Sequence, residues 1–310
     1  MKKIPIIILT GPTAVGKTNL SIDLAKELNA EIISADSMQI YKYMDIGSAK
    51  VTEEETQGVK HYLVDEVTPD YVFSVSEFQK RADDYIQKIN KDNKKVLVTG
   101  GTGLYLNSLI YDMDFAKSDA NNELRETLRI ELEENGIDYM HNKLKELDPK
   151  AADRIHKNNT KRVIRALEVC LSGEKMNDFS KDLKFNEKYN HIIIVLNRER
   201  NHLYERINKR VDIMMNNGLI DEVKNLLKMG YTKDMISMQG IGYKEIIKYL
   251  DGEYTLDEAI DIIKRDSRRY AKRQLTWFRR YDDAKWFNLD EYSDSQVLKN
   301  DIIMHIEKML

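Results

Sequence analysis

Residues 4–30, IPIIILTGPTAVGKTNLSIDLAKELNA, decide the fold. Ile4 to Thr10 is a short apolar run rich in β-branched residues, and the stretch from Asn19 onward has its apolar residues at helical spacing. Between them, Gly11, Pro12, Thr13, Ala14, Val15, Gly16, Lys17 and Thr18 match G-x-x-x-x-G-K-[ST]. Strand, glycine loop and helix together are the setting in which that pattern is a phosphate cradle. The loop N–H groups converge on an anion at the positive end of the helix dipole. Lys17 adds a point charge for the outer phosphate, and the Thr18 hydroxyl suits a Mg²⁺ ligand. Which phosphate compound binds there stays open at this level.

Outward from the loop, Glu31 to Asp36 (EIISAD) reads as a second strand, with Asp36, Ser37, Met38 and Gln39 at its C-terminal end. Parallel sheets place ligand-contacting residues at that end. DIGSAK and HYLVDE follow as a loop and a short strand, and Ser74 with Glu77 predicts a capping box opening the helix EFQKRADDYIQKINK. Lys94 to Gly101 is a third buried strand. Strands alternating with helices predict an α/β fold, a P-loop NTPase-like parallel sheet flanked by helices. From Lys117 to Lys188 the buried-strand pattern stops, and NNELRETLRIELEENG, IDYMHNKLKELD and KRVIRALEVCLSG read as an all-helical insertion domain. His191 to Asn197 returns to the sheet, and the remainder reads as helical, including a long helix from Leu256 to Tyr281. The expected domains are therefore 1–116, 117–188 and 189–310.

Composition narrows the class. A chain of 310 residues buries a sizeable core without staples. One cysteine, Cys170, excludes an internal disulfide and suits a reducing cytoplasm. Only seven residues separate Met1-Lys2-Lys3 from the glycine loop, too few for a signal-peptide h-region, and no apolar stretch approaches spanning length. The six histidines, scattered without ligand spacing, suggest no zinc site. The expectation is a cytoplasmic monomer without membrane or protein partners.

A net charge of −3 argues on average against nucleic acid, but the charge is unevenly distributed. Lys264 to Arg280 (KRDSRRYAKRQLTWFRR) carries eight basic residues and one acid, with Arg265, Arg268/Arg269, Lys272 and Arg279 at helical spacing and Tyr270, Trp277 and Phe278 interleaved. A second cluster, His156, Lys157, Lys161, Arg162 and Arg165, lies in the insertion. Two such stretches favour a polyanion partner held between core and insertion, unless neighbouring acids neutralise them. Asp36 reads equally well as a general base facing the phosphate or as a turn-capping Asp with Ser37. Asp65-Glu66 follows too short an apolar run for a Walker B pair. In Thr99 to Tyr105 (TGGTGLY) the glycines permit close backbone approach to a ligand that the Thr102 hydroxyl could bind, or simply a tight turn. Arg206 and Arg210, four apart, either close over a phosphate or pair with Glu205 and Asp212.

GPTAVGKT, DSMQIYKYMDIGSAK, TGGTGLY, KRVIRALEV, MQGIGYKE and RRYAKRQLTWFRR, in this order and spacing, resemble the bacterial tRNA dimethylallyltransferases, also called tRNA isopentenyltransferases (the IPP transferase family). The resemblance spans nearly the whole chain. It implies transfer of a dimethylallyl group from dimethylallyl diphosphate to N6 of the adenosine immediately 3′ of the anticodon, in tRNAs reading codons that begin with U. It further implies that the P-loop holds the diphosphate in place of ATP, with Lys17, Thr18, Arg210 and Mg²⁺ around it. Asp36 becomes the general base, Thr102 positions the amine, and Ser37, Met38 and Gln39 meet the base. Arg125, Lys161, Arg162, Arg165, Arg269, Lys272 and Arg273 grip the anticodon stem-loop. Ser48 stands where the family commonly has Thr, Lys161 where Gln is common, and Lys60-His61 replaces a His pair. The C-terminal zinc finger of eukaryotic members is not expected with one cysteine. A prenyltransferase acting on free adenine nucleotides, a small-molecule kinase using Asp36 as base, and a non-catalytic RNA-binding switch are the alternatives.

Overall fold

The computed structural model describes residues 3–113, 115, 122–173 and 183–310. They form two compact units, Met1–Tyr111 with Phe185–Leu310, and Asp112–Lys184. In chain order the elements are β1 (Ile4–Thr10), α1 (Lys17–Glu27), β2 (Ala30–Ser34), α2 (Glu53–Thr56), β3 (His61–Tyr62), α3 (Val75–Lys91), β4 (Lys95–Gly100) and α4 (Gly103–Ile110). The second unit holds α5 (Asn122–Leu147), α6 (Pro149–Arg154) and α7 (Thr160–Leu171). The first unit resumes with β5 (Tyr189–Asn197), α8 (Arg200–Asn216), α9 (Leu219–Lys228), α10 (Tyr243–Leu250), α11 (Leu256–Phe278), β6 (Lys285–Asn288) and α12 (Ser295–Met309).

The six strands are all parallel, in the order β3-β2-β4-β1-β5-β6. Alternate residues of each strand enter different layers. Ile6, Ile8, Val96, Val98 and Ile193 pack in one core, and Ile7, Leu9, Leu97, Ile192 and Ile194 in the other. Both faces are covered by helices, which is why β1, β2, β4 and β5 read as apolar runs. The central position of β1 sets the P-loop between the C-terminal ends of β4 and β5.

The first unit departs from the sequence expectations in two places. The C-terminal stretch is not wholly helical, because KWFN forms β6 at the sheet edge, registering Val195 with Trp286 and Leu196 with Phe287. Only Phe287 of its four residues is buried, so there was no apolar run to read; pairing to the overhanging end of β5 makes the strand. Only half of the expected capping box forms. Ser74 Oγ accepts the Glu77 N–H at 3.1 Å, while the Glu77 carboxylate accepts from Tyr71 Oη and Arg81 instead.

The expected border at 116/117 lies outside the described residues. At the other border, Phe185 bridges to Tyr111 and stacks on it at 5.5 Å, and the Asn186 N–H donates to Ile110 O, so residues 185–188 pack with the sheet-bearing unit.

The second unit is helical throughout its named elements. The two expected helices at 121–148 both lie within the span labelled α5 and are separated at Gly136, whose backbone is not helical (φ 80°, ψ 176°). Leu128, Met140, Leu144, Val163 and Leu167 form its core. Glu168 is completely buried beside them, taking Arg125 Nη2 at 2.8 Å and Arg165 Nη1 at 2.9 Å. Burial alone would raise its pKa, but the hydrogen bonds from Arg125 and the charge of the paired Arg165 outweigh that and hold the carboxyl below its ordinary value of 4.5. A carboxyl with a depressed folded pKa stabilises above its unfolded pKa and loses that contribution as pH falls through the folded one. Glu168→Gln should therefore destabilise this unit by about 3 kcal/mol at neutral pH, with the difference from the parent shrinking in acid. The loss lies at the low end of the usual range because both arginines keep some solvent. Urea denaturation at pH 7 and pH 3.5 measures it.

Candidate active site

The P-loop leaves β1 through Gly11, whose backbone (φ 155°) passes so close to β5 that a Cβ there would lie 2.6 Å from Leu196 O. It enters α1 through Gly16 in the left-handed region at φ 116°. Lys17 Nζ folds back to donate to Gly11 O and Pro12 O, both at 2.9 Å. Three arginines from the segment after β5 fasten the rim. Arg198 Nε donates to Val15 O at 3.0 Å, Arg206 Nε to Ala14 O at 2.9 Å, and Arg210 Nη1 to Thr13 Oγ1 at 3.2 Å. Neither arginine of the Arg206/Arg210 pair turns to Asp212, which pairs with Lys264.

Burial, then the Arg210 charge, push Lys17 down to about 8, while Asp36 pulls it back up. Burial also lowers Arg210 from its ordinary 12.5, again opposed by Asp36. An anion in the loop favours the charged lysine, so anion binding takes up a proton above pH 8. Affinity for inorganic diphosphate should fall as pH rises through 8, by up to about tenfold per unit. Lys17→Arg, charged throughout, should flatten that fall. Calorimetric titration at pH 7, 8 and 9 compares the two proteins.

Asp36 follows β2, which lies across β4 from β1 in the sheet. Its Oδ1 accepts the Met38 N–H at 2.9 Å, so the turn-capping role is real. The carboxyl also borders two cavities of this unit. The larger, about 320 Å³, is lined by Thr13, Arg210, Met38, Ser37, Tyr270 and Arg273, among others. The smaller, about 50 Å³, is lined by Lys17, Thr18, Ser34, Gln39 and Thr99. Turn cap and cleft wall are thus compatible. Thr102 accepts the Ser37 N–H at 3.0 Å and lies 3.3 Å from Ser37 Oγ, joining the strand ends of β4 and β2.

The glycines of TGGTGLY make room for protein rather than ligand. A Cβ on Gly100 would lie 2.3 Å from the Ala35 backbone, on Gly101 2.2 Å from Gln274 Nε2, and on Gly103 2.4 Å from Trp277. Gln274 is the residue that sequence reasoning missed. Buried on α11, it accepts the Thr13 N–H and donates to Gly101 O, both at 2.9 Å, tying the P-loop to the β4 turn. Its signal lay inside the basic run, at core spacing with Ile263, Ala271 and Phe278. Tyr270, noted only as an interleaved aromatic, also lines the larger cavity. Burial and the Asp36 charge push its phenol up to about 12, with Thr102 and Gln274 acting the other way.

The remaining candidates divide by place. Of the basic helix, Arg273 reaches the larger cavity with its guanidinium over the Tyr270 ring, 5.6 Å from its centroid. Arg269 is exposed and pairs with Asp266, and Lys272 is exposed with no side-chain partner among the described residues. In the other unit Lys161 and Arg162 are exposed in the first turn of α7, whereas Arg125 and Arg165 are committed to Glu168. Asp65 and Glu66 are taken up by Lys50 and Arg81, which removes them from phosphate chemistry.

Fold and site define a P-loop protein in which an anion cradle and a carboxylate share one cleft, with no Walker B acid among the described residues. The model of the IPP transferase family matches residues 39–281, and the chain belongs to that family. It is 78% identical over 307 residues to the tRNA dimethylallyltransferase of Clostridioides difficile (strain 630), covering 99% of each chain. Identity to the tRNA dimethylallyltransferase of Alkaliphilus oremlandii (strain OhILAs) is 59%, covering 98% of this chain and 97% of that one. Among solved structures, the full-length tRNA isopentenylpyrophosphate transferase of Bacillus halodurans superposes with a TM-score of 0.74 at 45% identity, covering 99% of this chain and 98% of that one. A eukaryotic dimethylallyltransferase acting on tRNA superposes with a TM-score of 0.81 at 28% identity, covering 97% and 80% respectively.

Proposed function

We propose that this chain is a prenyltransferase that moves the dimethylallyl group of dimethylallyl diphosphate onto N6 of the adenosine immediately 3′ of the anticodon, in tRNAs reading codons that begin with U. Family membership and relatives named tRNA dimethylallyltransferase support the reaction. The observation that carries the assignment of residues is the Asp36 carboxyl, which borders both the cavity beside Lys17 and the larger cleft beside Arg210.

In this reading the P-loop N–H groups, Lys17 and Arg210 bind the diphosphate and stabilise the charge that grows on it as the C–O bond breaks. Adenine N6 attacks the released allylic carbon, and Asp36 accepts the N6 proton as the C–N bond forms. Thr102, held by the Ser37 amide, orients the amine, while Met38 and Gln39 meet the base. The adenosine has to leave its stack to reach a site this enclosed. Exposed Lys161, Arg162, Arg269 and Lys272, with Arg273 at the cleft, supply phosphate contacts to the anticodon stem-loop. Arg125 and Arg165 contribute what their Glu168 pairing leaves free.

Mg²⁺ fits the smaller cavity. Thr18 and Ser34 offer hard oxygen donors there, and the Thr99 hydroxyl is buried without a partner. The Thr18 hydroxyl would hold the ion together with diphosphate oxygens, where it would neutralise leaving-group charge. The described residues contain no cluster of three acidic, His or Cys side chains able to hold it alone, and no helix among them long and apolar enough to cross a membrane. A cytoplasmic monomer is the setting assumed.

A labelled-transfer assay tests the reading. Protein, Mg²⁺ and radiolabelled dimethylallyl diphosphate are offered unmodified tRNA, AMP, or neither with ATP present. Label in tRNA is the expected result. Label in AMP alone would reassign the acceptor, and ATP consumption without transfer would make the protein a kinase.

A further inference from the structure

Two of the sequence stretches that carry the family resemblance have no part in the chemistry above: Asp45 to Lys50 (DIGSAK) and Met238 to Glu245 (MQGIGYKE). Both meet at one carboxylate, that of Glu222 in the first turn of α9. Its Oε2 accepts the N–H groups of Asp45 at 2.9 Å and Ile46 at 2.7 Å. Its Oε1 accepts the Gly47 N–H at 3.0 Å and the Tyr243 phenol at 2.7 Å. Successive amides converging on an anion form a nest, and here the anion is a side chain from 175 residues downstream. Tyr243 is fully buried, and its ring leaves no room for a side chain at 47, where a Cβ would lie 2.5 Å away.

The same loop is fastened from within. Ser48 Oγ donates to Met44 O at 2.6 Å, and the buried Lys50 ammonium donates to Tyr41 O at 2.7 Å and pairs with Asp45 and Asp65. The loop then delivers two things to the site. Gly47 and Ser48 line the larger cavity, and Ala49 O accepts Gln39 Nε2 at 3.2 Å beside the smaller one.

We infer that Glu222, with Tyr243, is a positioning residue for the acceptor side of the site. Its carboxylate holds the Asp45–Lys50 loop as a fixed wall of the cleft, and through the Ala49 carbonyl it sets the Gln39 amide. The catalytic consequence rests on the prenyl-transfer reading above. A carboxylate is required because four donors converge on two oxygens. A carboxamide offers one acceptor oxygen and turns an N–H₂ toward N–H donors.

The test compares the parent protein with Glu222→Gln and Tyr243→Phe by hydrogen exchange and by kinetics. In Glu222→Gln the amides at 45–47 should exchange at least about tenfold faster, with P-loop amides unchanged. The kcat/KM for tRNA should fall about 10- to 100-fold, while the Kd for inorganic diphosphate stays within about twofold. Tyr243→Phe keeps the nest and loses one donor, so exchange at 45–47 should quicken only about two- to fivefold. Unchanged exchange at 45–47 in both variants would overturn the inference, as would diphosphate affinity falling in step with tRNA turnover, the mark of general unfolding. If the parent transfers no prenyl group to tRNA, the functional reading fails, and the exchange measurements still decide whether Glu222 holds the loop.

Discussion

Asp36→Asn should lower prenyl transfer to tRNA by about three orders of magnitude, within the range expected for loss of a general base. Asparagine is the informative replacement. Asp36 Oδ1 accepts the Met38 N–H, and a carboxamide oxygen keeps that bond, so the turn survives while the proton acceptor is lost. Asp36→Ala removes both and separates the two roles by difference. Diphosphate affinity should hold or tighten, because Asp36 is the negative charge that Lys17 and Arg210 both sense. Single-turnover transfer, paired with calorimetric binding of inorganic diphosphate, gives both quantities. An asparagine variant that transfers at the parent's rate would leave Asp36 as a turn cap only.

Lys17→Ala should have the second largest effect, a loss of diphosphate affinity of about 10². The side chain donates to Gly11 O and Pro12 O, so the loop also loses two internal bonds. The rest of the cradle is anchored elsewhere, by Gln274 at the Thr13 N–H and by Arg198 and Arg206 at Val15 O and Ala14 O. The variant should therefore fold, and its affinity for tRNA, measured by filter binding, should stay within about threefold. A parallel loss of tRNA affinity would show that the two substrates do not occupy separable parts of the cleft.

These two positions were legible as candidates because each stands in a local pattern, although the pattern left Asp36 equally a general base or a turn cap. A glycine loop between strand and helix is the setting of a phosphate cradle, and the C-terminal end of a second parallel strand is where ligand-facing residues stand. The continuous apolar runs of β1, β2, β4 and β5 announced a parallel sheet covered on both faces, and their interruption announced a helical insertion. β6 escaped because an edge strand with one buried residue is made by pairing rather than by pattern.

The sequence by itself determined the fold class, the cradle, the carboxylate beside it and the family resemblance, because each is written in residues close together along the chain. Tertiary structure alone decided what the polar residues between those landmarks do. Gln274 sat in a run read for its charge, yet it ties the P-loop to Gly101 from the buried face of α11. Arg125 and Arg165, read as anion contacts, meet Glu168. The glycines of TGGTGLY, read as room for a ligand or simply as a tight turn, admit Ala35, Gln274 and Trp277. Glu222 carried no signal, and its partners lie on a loop and a tyrosine far from it in sequence. A hydrophobic residue is placed by periodicity, since any apolar neighbour satisfies it. A charged or amide side chain takes its role from the donors and acceptors it meets, and folding alone brings those together.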